Sequence, residues 1–226
     1  MKARSSVIEI GTHYGGYACG VPRQLRTLEG PLALLVLGGI YGLISARFTV
    51  GPPWLMLGIL AAGASVMLIL QRRGRLRERR LLALGLMVLV TIAIALSAAF
   101  LLMALIGGRA QAEGLLGSAA LLWISNLLAF ALWYWEVDGG GPHRRRPGPD
   151  ASSDFLFPQV MAGGDHVTRW SPEFLDYVFL AFNTSTAFSP TDTMVLARRA
   201  KVLMMLQSVI SLTTIVVFAA RAINTL

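Results

Sequence analysis

The chain has 226 residues, 55% of them hydrophobic and 14% charged, with a mean hydropathy of +0.62 and a net charge of +8. Soluble domains carry about 25% charged residues, so a cytosolic enzyme and a disordered chain are both excluded. A single cysteine, Cys19, excludes an internal disulfide framework, a cysteine-rich metal site and a CxxC redox pair.

In chain order, the first 29 residues form a cytoplasmic N-terminal segment in which Gly-Tyr-Ala precedes Cys19. The apolar stretch that a signal peptide or lipoprotein box requires does not precede it, so the first span is expected to act as an uncleaved anchor. Uncharged runs follow at 30–46, 48–71, 81–108, 114–135 and 202–220. Each is long enough to cross a bilayer as a helix, which satisfies its own backbone hydrogen bonds in lipid. A sixth run, 177–191, is shorter and polar. The predicted fold is an all-α integral membrane protein of five transmembrane helices, with a re-entrant or short sixth helix before the last span. Residues 30–135 form a four-helix transmembrane region, 136–173 a polar loop, and 174–226 a helix, a polar turn and the final span.

Lysine and arginine set the orientation. The N-terminal segment, the 72–80 loop and the 136–173 loop hold fourteen basic residues, whereas the alternate loops hold only Arg47 and Arg109. Positive-inside topology therefore makes the N-terminus cytoplasmic. The six arginines within Arg72–Arg80 are read as a topology signal that also attracts anionic lipid headgroups, and nucleic acid leaves the list of partners. Trp133, Tyr134 and Trp135 are expected at the cytoplasmic interface, as amphipathic rings prefer headgroup depth. A GxxxG spacing from Gly38 to Gly42 predicts close helix packing.

Catalytic signals are missing: HExxH, the phosphate-loop motif and GxSxG do not occur. The three histidines, His13, His143 and His166, are far apart in sequence and outside the runs. The chain is read as a non-enzyme without a cofactor or metal. Within the long loop, the Gly- and Pro-rich stretch 139–149 breaks helices. Phe155, Leu156 and Phe157 predict a turn docked on the bundle or the interface.

The sixth run is the informative feature. Ser171 as N-cap, Pro172 at the first helical position and Glu173 predict a helix start, and Pro190 predicts an end near Phe188. About 16 residues, or roughly 24 Å at 1.5 Å per residue, fall short of a 30 Å hydrocarbon core. Asp176 and Asn183 share one helical face, which predicts a stripe turned to protein or water.

A short helix, a polar turn and an apolar helix resemble the pore-loop and inner-helix hairpin of two-span potassium channels. The filter pattern TTVGYGD, laid on residues 186–192, matches only at Thr186 and Asp192. Ser189 and Thr191 stand where glycines would let carbonyls face the ion, and Pro190 replaces the aromatic, so potassium selectivity of the usual kind is not expected. A second resemblance covers most of the chain. WYWEVDGGGP (133–142), DFLFPQ (154–159), TAFSPTDTM (186–194) and AKVLMMLQS (200–208) resemble a widespread actinobacterial group of multi-span membrane proteins, related to the domain-of-unknown-function 1345 type. That resemblance implies a bacterial inner (plasma) membrane and supplies no activity.

The expected function is a structural or assembly component of the membrane, whose polar residues bond between helices. A homo-oligomer or a membrane-protein partner is expected. The alternative is an oligomeric ion-conducting pore with an atypical filter. Asn183, Thr184, Ser185, Thr186, Ser189, Pro190 and Thr191 would then line the polar turn, and Asp192 would attract cations at its mouth. Entry of this segment from the cytoplasm keeps Arg198, Arg199 and Lys201 inside. A sixth crossing would put them outside.

Overall fold

The computed structural model describes residues 28–44, 46–107, 112–146, 152–162, 170–186 and 192–225. Among the described residues seven α-helices carry the fold: α1 (Glu29–Gly42), α2 (Pro53–Arg72), α3 (Leu76–Ile106), α4 (Ala112–Val137), α5 (Pro158–Met161), α6 (Phe174–Thr186) and α7 (Arg198–Thr225). Two short strands, β1 (Phe155–Leu156) and β2 (Met194–Val195), pair antiparallel, with Phe155 opposite Val195. Among the described residues, four helices are long and apolar enough to cross a membrane, namely α2, α3, α4 and α7.

The expected first span is shorter than its run of apolar residues. α1 has 14 residues, or about 21 Å, and ends at Gly42 rather than continuing to Ala46. Its last turn tightens through Leu43 N–H to Ile40 O and Ile44 N–H to Tyr41 O. The chain then folds back, burying Ile44, Phe48 and Thr49. The Tyr41 hydroxyl accepts the Val50 amide (3.4 Å) and meets Ser97 Oγ of α3 (2.9 Å). Of the residues after Gly42, Ile44 and Phe48 therefore pack inward, while Leu43 stays exposed.

The α2–α3 hairpin closes on glycine. Gly74 has φ +71°, and the Arg75 and Gly74 amides reach back to Leu70 O and Gln71 O (2.9 and 3.1 Å). This is a Schellman ending, in which a left-handed residue lets two otherwise unpaired carbonyls accept hydrogen bonds. Pro53 opens α2 at a position where its missing N–H costs nothing.

α4 is the centre. It packs on α1, α3, α6 and α7, and it is 61% buried within the protein against 28% for α2 and α7. The outward faces of α2 and α7 carry exposed Trp54, Ile69, Val209 and Leu212, as lipid-facing surfaces do. The starts of α1 and α3 and the end of α4 share one end of the bundle. There Arg79 Nη2 lies near Gly30 and bonds Glu136 Oε1 at 2.7 Å.

Gly38 holds α1 against α2. A Cβ there would lie 3.3 Å from the Leu57 Cα and 3.2 Å from its Cδ1, whereas one at Gly39 would meet open space. Gly38→Leu is expected to lose about 1–3 kcal/mol through overpacking, and Gly39→Leu to stay within about 0.5 kcal/mol. Thermal unfolding of the two variants in one detergent checks this, and equal transitions would contradict the packing.

Candidate functional site

Two buried polar networks converge on α4, one inside the bundle and one at the end where α6 and α7 begin. The inner network centres on Gln207 of α7, which is fully buried. Its Nε2 donates to Ala181 O (2.8 Å) and Ser185 Oγ (2.7 Å) of α6. Its Oε1 accepts the Tyr134 hydroxyl of α4, and its backbone carbonyl accepts Asn126 Nδ2 at 3.2 Å. One turn on, Ser211 Oγ donates to Ser185 O (2.7 Å) and accepts Trp123 Nε1 (3.0 Å). Ser208 Oγ donates to Thr184 O at 3.4 Å. The last turn of a helix leaves carbonyls without intrahelical donors, and α7 side chains supply two of them.

These contacts fix the direction of the hairpin. Residues 181–185 of α6 lie level with 207–211 of α7, so these neighbours in sequence run parallel. β2, which leads into α7, pairs with β1 beside the start of α6.

The second network is built on Asp138, which is 1% exposed. Its Oδ1 accepts the amides of Asp154 (2.7 Å) and Phe155 (3.3 Å), and its Oδ2 accepts the Tyr177 hydroxyl of α6 at 2.5 Å. Burial raises the Tyr177 pKa well above its ordinary value, so the phenol remains a neutral donor. Arg145 supplies the countercharge, with Nε 3.4 Å from Asp138 Oδ2. Its guanidinium lies between the Trp135 and Tyr177 rings, 4.8 and 4.9 Å from their centroids, a cation–π arrangement strengthened by desolvation. It also donates to Trp135 O at 2.6 Å.

Asp154 relays this network to α7. Its carboxylate accepts Arg199 Nε and Nη2 at 2.6 and 2.7 Å, and its carbonyl accepts the Leu196 amide at 2.9 Å. The fork-to-carboxylate geometry is the strong form of an ion pair. The reversal after α4 needs glycine, since Gly139, Gly140 and Gly141 have φ of +57°, +84° and +96°.

The expected site residues divide between these places. Ser185 is buried in the inner network, and Thr184 and Thr186 bond the preceding turn through Leu180 O and Phe182 O. Asn183 is half-buried beside them, while Asp192 is exposed near β2. Ser189, Pro190 and Thr191 lie outside the described residues. The helix starts two residues later than expected. Glu173 takes the capping position, and its amide donates to Asp176 Oδ2 at 2.7 Å, the reciprocal half of a capping box. Part of the burial pattern differs as well. The buried face of α6 carries Tyr177, Leu180, Ala181 and Ser185, with Asp176 and Asn183 at its edges.

The aromatic cluster lies at the end of α4, packed within the protein. Tyr134 and Trp135 are buried and Trp133 donates to Thr91 Oγ1 at 2.8 Å, because all three have partners within the protein. Trp135 stacks edge-on against Phe174 and Tyr177. Phe155 and Phe157 dock on the bundle, as expected, against the Tyr177 ring. Sequence reasoning missed Gln207 and Ser211, although an amide and a serine four apart in an apolar run mark an inward face.

No family model, curated protein or solved structure matches the chain.

Asp138→Ala strands Arg145 in a buried site and releases three donors. The expected loss is about 3–5 kcal/mol, the range for breaking one side of a buried pair. Faster protease cleavage within 138–156 should accompany a lower unfolding temperature, and wild-type behaviour in both would refute the assignment.

Proposed function

We propose that the chain is a non-enzymatic, multi-pass component of a bacterial inner membrane, with a structural or assembly role and a cytoplasmic N-terminus. On this reading α1 is the fifth span, shortened within the bundle. Residues 174–195 form a re-entrant hairpin that enters and leaves on the cytoplasmic side. The basic residues agree, with seventeen inside and only Arg47, Arg109 and Arg221 outside. The potassium-channel resemblance points the other way, since channel hairpins enter from the outer side.

The observation that carries the structural role is the Gln207 network. It commits Ser185 Oγ, the Ser185 carbonyl and the Ala181 carbonyl to α7, so these oxygens serve to hold the hairpin and are not turned towards an ion. Interhelical hydrogen bonds of this kind act as glue in membranes, where the hydrophobic effect between helices is weak.

One observation favours the alternative of an oligomeric ion-conducting pore. A half-length helix that runs parallel to the long helix after it, with exposed Asp192 ahead of β2, is compatible with the arrangement that a selectivity loop uses. The oxygens of 186–191 would then face a shared axis between copies.

Purified protein in liposomes is expected to pass no common cation or anion across a range of voltages, with Asp192→Asn equal to wild type. A wild-type flux lowered by that substitution would replace the structural role with the pore. Topology is checked separately after Cys19→Ser. A cysteine at position 192 should label from the same side as one at position 74, and opposite-side labelling would overturn the re-entrant path. Gln207→Leu leaves Tyr134 and Ser185 short of a partner. It is expected to cost about 1–3 kcal/mol and to speed labelling at position 192.

A further inference from the structure

At the end of the bundle where α6 and α7 begin, an open-mouthed cavity of about 640 Å³ is lined by Gly139, Gly140, Arg144, Arg146, Ser152 and Arg199. Arg80 borders its floor, since a Cβ at Gly140 would lie 3.8 Å from Arg80 Nη1 and one at Gly141 3.9 Å from Arg80 Nε. Arg199 is neutralised by Asp154, and the nearby carboxylates of Glu136 and Asp138 are held by Arg79 and Arg145. Arg80, Arg144 and Arg146 have no carboxylate partner among the described residues. Arg80 Nε is buried and makes no hydrogen bond there. Three guanidinium groups without a paired carboxylate give the cavity a net positive charge that favours an anion.

We propose that this cavity is a binding site for a phosphate group, held by Arg80, Arg144 and Arg146 above the Gly139–Gly141 turn. A carboxylate offers two oxygens and satisfies one guanidinium fork. A phosphate offers at least one more and can bridge several forks. The glycines leave the floor without side chains, so the ligand can approach the backbone. Arg144 and Arg146 are exposed and reach the phosphate from the water side, while Arg80 reaches it from the α2–α3 turn. The site is distinct from the general attraction of Arg72–Arg80 for anionic lipid, because it needs residues of the 139–146 turn. Two sources share this chemistry, a lipid headgroup and a soluble phosphate compound. The inference is independent of whether the hairpin conducts ions.

The test uses the full-length protein in two arms. In one, detergent-purified protein is offered phosphatidylglycerol or phosphatidylcholine, and retained lipid is counted by native mass spectrometry. In the other, protein in phosphatidylcholine nanodiscs is titrated with inorganic pyrophosphate by calorimetry. R144A/R146A is compared with R72A/R73A, which removes the same charge from the exposed end of α2. At least tenfold weaker binding in R144A/R146A, against less than threefold in R72A/R73A, is the expected result. The arm that shows it identifies the source as lipid or soluble phosphate. Equal losses in the two variants, or binding in neither arm, would overturn the site. Both variants remove exposed side chains, and matched unfolding temperatures confirm that the comparison reports the cavity.

Discussion

A carboxylate cannot be buried alone, and Asp138 shows what burying one entails. The charge costs several kcal/mol to desolvate unless its oxygens are fully partnered, and the partners here come from three parts of the chain. Arg145 belongs to the turn, Asp154 and Phe155 to the returning loop, and Tyr177 to α6. Asp154 then captures Arg199 at the head of α7. A single acidic side chain thereby sets where three long-range elements meet. The Gly139–Gly141 turn is the backbone that this geometry requires. Such pairs add little net stability compared with apolar packing, but they penalise every wrong arrangement, which gives them their value in specifying one structure.

Inside the bundle the same logic runs through neutral groups. Gln207 can donate twice and accept through its side chain, and it meets α6 with both protons and α4 with its oxygen. A leucine of similar volume would pack there but could not distinguish a parallel α6 from a helix slipped by a turn. Ser208 and Ser211 repeat the contact along α7. Side-chain donors to carbonyls at the end of α6 replace the bonds that a longer helix would have made, so the helix can stop within the bundle.

Much of the fold was legible as uncharged runs: α2, α3, α4 and α7 each cover most or all of one. The limits of that signal are equally physical. Hydropathy does not register where a helix stops, and α1 ends four residues before its run because Tyr41 and Ser97 hold a turn. Charge ends a run on paper, yet α4 continues through Glu136 because Arg79 neutralises it from α3. The polar character of 183–186 was visible, and it marked α6 as unusual. Its partners were not, since Gln207 and Ser211 look incidental until the four-residue spacing is set against Ser185. Asp138, Asp154 and Arg199 lie tens of residues apart or in different elements, and local pattern does not reveal that they meet.

The parallel arrangement of α6 and α7 also bears on the order of biogenesis. On the proposed re-entrant path, the segment from α6 to α7 begins and ends on one face, so no polar loop would be carried through the bilayer and Arg198, Arg199 and Lys201 would remain where they are synthesised. α7, in contrast, carries Gln207, Ser208 and Ser211 on one side, and before α6 docks these groups have only lipid or α4 to meet. On that path, insertion of the last helix would be complete only once the half-length helix before it has settled. The two should become protected together, as one late step after α2, α3 and α4 are in place.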